Sequence, residues 1–326
     1  MSIRLLLLGL LATLLTGCSL EDDRDECCGV TLHFRYMETG QDVFFNNIRS
    51  MRHFLFDSDS IFVTEVFVSQ TTNKVQILQI DNGQYTMITI ANTTTANTAL
   101  SELIPRVSHL SDFQLSLADS ETRTSENGYY DNADELFYNA TVFTVTDSDR
   151  DFYFEDLSNV HCHLHVYLYW HKLPDYTGTF TMKLYDVPAD FSLSPDSMMR
   201  VKTVTDDDSM QPTSLNSVQL VPVSMDRFVE HHIEVMPYNF TLTGEFITHR
   251  WTNECIPVLQ VYNGDKTVTR QIPLKEVFDN WKIYPDSDPV QDYWLEIEVY
   301  PDGTSYVSKH IKGKINGWID GGKITG

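Results

Sequence analysis

Few residues in this chain combine the types and the spacing that chemistry needs. The densest group is His161-Cys162-His163-Leu164-His165. On a strand alternate side chains point the same way, so His161, His163 and His165 line one face and Cys162 and Leu164 the other. A His-x-His pair on a strand is one way to hold zinc, with a third ligand arriving from another element. Residues two apart on a strand are about 6–7 Å apart, so at most two of the three rings can reach one ion. His161 and His163 are the candidate metal pair. The plain alternative is a His-rich strand that faces solvent or a neighbour.

Other candidates carry less. Asp147-Ser148-Asp149-Arg150-Asp151 starts like a calcium loop. Phe152 stands where the sharp turn needs Gly, and Ser158 stands where the loop should close with Glu, so a turn between strands is the better account. Asp286-Ser287-Asp288 is weaker still. His231 and His232 are adjacent in a predicted strand and point to opposite faces. Gly-x-Ser-x-Gly, His-Glu-x-x-His, P-loop and Gly-x-Gly-x-x-Gly patterns are absent from the sequence. The chain therefore reads as a binding or structural protein rather than an enzyme, with no cofactor implied.

A different chemistry is written near the start. Arg4 precedes an apolar stretch from Leu5 to Leu15, which ends at Leu15-Thr16-Gly17-Cys18. The stretch is shorter than the ~20 apolar residues a spanning helix needs, so it reads as a secretory signal peptide. Leu-Thr-Gly-Cys is a lipobox. The Cys18 thiol takes a diacylglyceryl group, and Cys18 then becomes the acylated first residue of the mature chain. Residues 1–17 are the signal peptide and residues 18–28 a lipidated tether, acidic from Glu21 to Glu26. Cys27, Cys28, Cys162 and Cys255 remain, an even number in an oxidising location. A disulfide from Cys27 or Cys28 to Cys162 or Cys255 is expected, with the connectivity open.

Composition narrows the partners. The formal net charge is −23 over 326 residues. Nucleic-acid binding needs a basic footprint, so that class is excluded. Docking on anionic lipid through Lys and Arg is disfavoured for the same reason. Hydrophobic residues at 42% and aromatics at 12% are enough for packed cores.

The elements that must position these residues are strands. Val30 to Tyr36, Arg52 to Phe56, Ile61 to Val68, Lys74 to Ile80 and Tyr85 to Ile90 are short, rich in β-branched and aromatic residues, and separated by turn signals. Glu135 to Val145, Phe152 to Phe154 and Val160 to Trp170 continue the series. Thr93 to Val107 is the best helix candidate, with Leu100, Leu103, Ile104 and Val107 at 3–4 spacing. Ser116 to Asp134 reads as a surface loop. Lys172 to Gly178 breaks the pattern, which predicts two all-β domains, 29–172 and 173–326. The second repeats the style at Phe180 to Val187, Phe228 to Val235, Phe240 to Thr248, Ile256 to Tyr262, Tyr293 to Tyr300 and Ser305 to Ile311.

A resemblance adds to this reading. A lipobox, an acidic spacer, a Cys and then Gly29-Val30-Thr31-Leu32-His33-Phe34-Arg35-Tyr36 resembles the opening of the fimbrial anchor lipoproteins of Bacteroidota. Phe54-Leu55-Phe56-Asp57, Tyr85 to Asn92, Asp134 to Tyr138 and Ile315-Asn316-Gly317-Trp318 resemble later segments of that family in the same order. Cys28 after Cys27 and the short Gly-rich tail depart from it. The resemblance implies two tandem transthyretin-like (Greek-key) β-sandwich domains behind a lipoprotein signal peptide. It also implies a base subunit of a surface fimbria, lipid-anchored in the outer membrane and joined to a stalk subunit by β-strand addition. Such an anchor keeps its first strand, because cutting it severs the lipid. Ile311, Ile315, Trp318, Ile319 and Ile324 are candidate strand-donor anchors, the alternative being an ordinary terminal strand filling its own domain. Two other functions compete: a tip or minor fimbrial subunit, and a surface glycan- or metal-binding lipoprotein.

Overall fold

The computed structural model describes residues 29–68, 72–78, 80–118, 129–146, 151–172, 178–193, 220–221, 228–302 and 304–309. The alternating segments become strands because each has an apolar face and a second layer to bury it against. Gly29–Arg35 lies between Asp151–Asp156, its parallel partner, and Lys74–Leu78, its antiparallel partner. Gly29 sits where a Cβ would come within 2.7 Å of the Ile77 carbonyl oxygen, so the close approach of the two strands needs glycine. Opposite this sheet is a five-stranded one, in the order Ser158–Asn159, Phe137–Val145, Gly83–Ala91, Met51–Phe56, Phe62–Val68. Val30, Leu32 and Phe34 from the first sheet pack with Met51, Leu55, Met87 and Phe143 from the second.

The far face of the five-stranded sheet is buried too. Phe54, Phe56, Ile88, Ile90 and Tyr138 pack there with Phe113, Leu115 and Phe191. Burial on both faces explains why Phe54-Leu55-Phe56 and Met87 to Ala91 lack polar alternation.

The second sandwich pairs a four-stranded sheet with a six-stranded one. The first runs Thr241–His249, His161–Trp170, Asp292–Val299, Ser305–Lys309. The second runs Tyr129–Tyr130, Phe228–Val235, Phe180–Pro188, Val258–Asn263, Lys266–Thr267, with Ile272–Pro273 also on Val258–Asn263. Leu164, Val166 and Leu168 meet Met182, Leu184, Leu259 and Val261 across the core.

The architecture is all-β, as expected, but several local expectations change. The His161–Trp170 strand precedes the sequence break at Lys172, yet it pairs with Thr241–His249 and, in parallel, with Asp292–Val299. Its apolar face, Cys162 to Trp170, is covered by layers that come after the break. The Ser116 to Asp134 region is not wholly loop: Tyr129–Tyr130 pairs in parallel with Glu230 and His231. Thr93 to Val107 holds no described helix. Thr98–Leu100 is a strand on Gln114–Leu117, Pro105 interrupts any helical ladder, and Ile104 and Val107 are exposed rather than a packed stripe. A helix forms instead at Leu274–Trp281, where Leu274 and Phe278 are buried in the core and Val277 and Trp281 pack against it at 3–4 spacing. Lys282, in the left-handed conformation at φ 56°, ends it.

Candidate functional site

The outer face of the four-stranded sheet of the second sandwich carries His163 and His165 side by side. Register decides their neighbours. His163 sits opposite Ile247 on one side and Asp292 on the other, and His165 sits opposite Glu245 and Trp294. Directly opposed residues share a face, so two imidazoles, Glu245 and Asp292 emerge side by side. A fifth group comes from the chain just ahead of Phe137–Val145. Asn132 Nδ2 donates to the Glu245 carbonyl at 3.1 Å, and Ala133 N donates to the Ile247 carbonyl at 2.7 Å. That docking along the sheet edge brings the Glu135 carboxylate to 3.5 Å from His163 Nε2. Asp134, next to it, accepts from Thr94, Asn97 and Thr98 and fixes the segment from behind.

The geometry of the cluster is ordered. Glu245 Oε1 lies 2.9 Å from His163 Nδ1 and 3.7 Å from His165 Nδ1. Asp292 Oδ1 lies 3.1 Å from His165 Nε2 and accepts from the Trp294 indole at 2.6 Å. The Trp294 ring stacks on His165 with centroids 4.0 Å apart, and Tyr167 extends the stack at 5.9 Å.

Among the described residues, one group of three could hold a metal ion: His163, His165 and Glu245, whose ligand atoms all lie within 4.8 Å of one another. His161, the other half of the expected pair, is not brought into it. It is buried, its Nδ1 lies 2.8 Å from the Leu136 carbonyl, and Phe137 meets it edge-on at 5.1 Å. Burial pushes its pKa down to about 4, so it stays neutral. The His-x-His signal was readable in the sequence but its phase was not, because burial of His161 depends on Leu136 and Phe137, more than twenty residues away. Glu245 and Asp292 had no local signal; they are supplied by strand register.

The other sequence candidates are structural. His231 is buried with Nδ1 2.7 Å from the Asp131 carbonyl, while His232 stacks on Tyr129 at 4.1 Å, so the two rings do point apart. Asp286 to Asp288 form a turn around Arg250, whose guanidinium donates to the carbonyls of Asn159, Pro285, Asp288 and Pro289. Among the described residues Cys162 and Cys255 are both buried thiols that are not joined to each other, and Cys27 and Cys28, their expected partners, lie outside the described residues. Cys162 faces the apolar core of the second sandwich, where burial pushes its thiol pKa well up.

The two chain ends matter for assembly. Gly29–Arg35 is in place between two partner strands, and Val30, Leu32 and Phe34 are fully buried. At the other end Ser305–Lys309 pairs antiparallel with Asp292–Val299, and Val307 packs against the second core. The chain fills its own sheet as far as Lys309. Cys18, Cys27 and Cys28, the Asp147 to Arg150 turn, and the donor candidates Ile311, Ile315, Trp318, Ile319 and Ile324 lie outside the described residues. No helix among the described residues is long and apolar enough to cross a membrane.

Comparison with known proteins agrees with this architecture. The profile of the family described as fimbrillin-A associated anchor proteins Mfa1 and Mfa2 matches residues 24–319. No curated protein sequence matches. Among solved structures, a candidate adhesin from Bacteroides thetaiotaomicron is 14% identical with TM-score 0.61, over 86% of this chain and 96% of that one. A candidate polysaccharide binding protein from the same organism is 12% identical with TM-score 0.60, over 87% and 99%. The fimbrial anchor protein Mfa2 from Porphyromonas gingivalis is 13% identical with TM-score 0.59, over 86% and 95%. At these identities the structures speak for the fold; the family match speaks for the lineage.

Proposed function

Because the chain belongs to the family of fimbrillin-A associated anchor proteins, we propose that it is the lipid-anchored base subunit of a bacterial surface fimbria. The lipobox at Leu15 to Cys18 supplies the attachment to the outer membrane. Its partner is a stalk subunit, which joins by β-strand addition: an extended segment of one chain completes a sheet of the other through main-chain hydrogen bonds.

One observation supports the reading: the first strand is built into the sandwich. Gly29–Arg35 has a neighbour along both edges, and its apolar face lies in the core with Met51, Leu55 and Phe143. A subunit that must open a groove at this position would have to give that strand up. An anchor must keep it, because it begins eleven residues after Cys18 and is the covalent route from fold to lipid. The donor role of Ile311, Ile315, Trp318 and Ile319 belongs to the same proposal. Ser305–Lys309, paired antiparallel with Asp292–Val299 as far as Lys309 opposite Leu295, is the last described strand before that tail.

The test is Cys18→Ala expressed in cells that assemble the fimbria. Fibres should appear in the medium at normal length or longer, with polymerisation intact. Fibres that remain on the cell refute anchoring by this chain. Sequencing the mature N-terminus in assembled fibres separates the tip reading: acylated Cys18 marks an anchor, and a start near or after Tyr36 marks a subunit that lost its first strand.

A further inference from the structure

We propose that His163, His165 and Glu245 form a binding site for one divalent cation of the zinc class on the outer face of the second sandwich. The proposal stands apart from the anchoring role, since it uses neither chain end.

The argument begins with which ring nitrogen faces what. Glu245 Oε1 addresses Nδ1 of both histidines, at 2.9 and 3.7 Å. The opposite nitrogens face other carboxylates: His163 Nε2 is 3.5 Å from Glu135 Oε1, and His165 Nε2 is 3.1 Å from Asp292 Oδ1. A histidine that ligates a metal commonly donates its other N–H to a carboxylate, which fixes tautomer and ring orientation. Here both rings have that outer carboxylate, and both turn the remaining nitrogen toward the same third ligand. Asp292 is itself held by the Trp294 indole, whose ring stacks on His165. The orientation of His165 is thus set by packing as well as charge.

The dimensions and donor types fit. Tetrahedral zinc with N and O ligands at about 2.0–2.2 Å places ligand atoms roughly 3.3–3.5 Å apart. The three atoms already lie within 4.8 Å of one another, so small side-chain rotations close the site. Two imidazoles and one carboxylate suit zinc, copper(II) or nickel(II), and not calcium or magnesium, which take oxygen-only shells. Three protein ligands leave a fourth position for water or for a donor from another molecule. The histidine side chains keep about a fifth of their surface exposed, at 19% and 18%, so an ion has a path in. The arrangement explains why three acidic groups, Glu245, Asp292 and Glu135, crowd two histidines.

The experiment uses the mature chain purified in detergent and stripped with a chelator. Zinc is titrated in by calorimetry, and cobalt(II) is added separately to read the visible bands of four-coordinate cobalt. The wild type should take up one equivalent of zinc and show those bands, and excess magnesium or calcium should not displace it. His163→Gln with His165→Gln should abolish the stoichiometric uptake, Glu245→Gln should weaken it, and Asp292→Asn should weaken it about 10–100-fold. His171→Gln, a surface histidine paired with Glu298 outside the cluster, should bind as the wild type does, with circular dichroism confirming the fold of each variant. No saturable zinc uptake by the wild type, or undiminished uptake by the double variant, overturns the proposal. Loss of binding with fimbriae still anchored leaves the anchor reading intact, and the converse result separates them equally well.

Discussion

Replacing Phe34 by alanine tests whether the first strand and the second sandwich belong to one cooperative structure. Phe34 is fully buried, packs with Leu32, Leu55, Phe137 and Phe143 in the core of the first sandwich, and lies 5.3 Å from the His53 ring. Truncating a buried Phe to Ala costs about 3–5 kcal/mol, from lost transfer energy plus the cavity left behind. Phe154 gives the internal control. It sits one strand away in the same sheet but is 48% exposed, so Phe154→Ala should cost about 1 kcal/mol or less. The probe makes the test sharper. All five tryptophans lie at Trp170 or later, and Trp170 and Trp251 are buried in the second core. Tryptophan emission therefore reports the sandwich that does not contain Phe34, while far-ultraviolet dichroism reports both. The two sandwiches share elements: Leu117, Tyr130 and Ala133 lie in the second core, and Phe191 lies in the layer over the first. Urea unfolding of Phe34→Ala should therefore show coincident transitions by both probes, each shifted down together. A tryptophan transition left at the wild-type midpoint, or a total cost under 1 kcal/mol, refutes the interlocked core.

Three further outcomes follow from buried groups. His53 and His161 are both held at about 4 by burial, below the ~6.5 of an unfolded histidine. The unfolded chain binds more protons between those values, so stability is full above pH 6.5 and falls as pH drops toward 4, by up to about 3 kcal/mol per histidine; urea midpoints across that range check it, and His53→Leu should flatten the decline. Arg250→Met leaves the carbonyls of Asn159, Pro285, Asp288 and Pro289 without their donor, at a cost of about 3 kcal/mol, and Arg250→Lys should recover only part because it lacks the planar fork; thermal melts of the pair decide. Cys162 and Cys255 should react with a thiol reagent only after denaturation, without prior reduction; thiols that react in urea only after reduction would refute this and show a disulfide.

What could be read before the structure divides along a physical line. Strands with their own alternation, such as Phe228–Val235 and Lys74–Leu78, were visible because period two is a local property. The helix at Leu274–Trp281 was missed because two turns give too few repeats of its period. The sheet to which His161–Trp170 belongs was not legible at all: its partners start 71 and 122 residues after its own end, counting from Trp170 to Thr241 and to Asp292. The histidine cluster followed the same rule. His163 and His165 announced themselves by spacing, whereas Glu245, Asp292 and Glu135 arrive through pairing and a docked loop.

The parallel contact between His161–Trp170 and Asp292–Val299 also sets an order of events in time. As the chain emerges, the apolar row Leu164, Val166 and Leu168 is made early, but one edge of its strand has no partner until residue 292 has followed. Loop closure on that scale is entropically expensive before any contact compensates it, and such topologies fold slowly. The second sandwich is thus a late, all-at-once step, and a chain cut short before Val299 would expose a bare sheet edge beside an apolar face, the form of half-made structure most prone to aggregate.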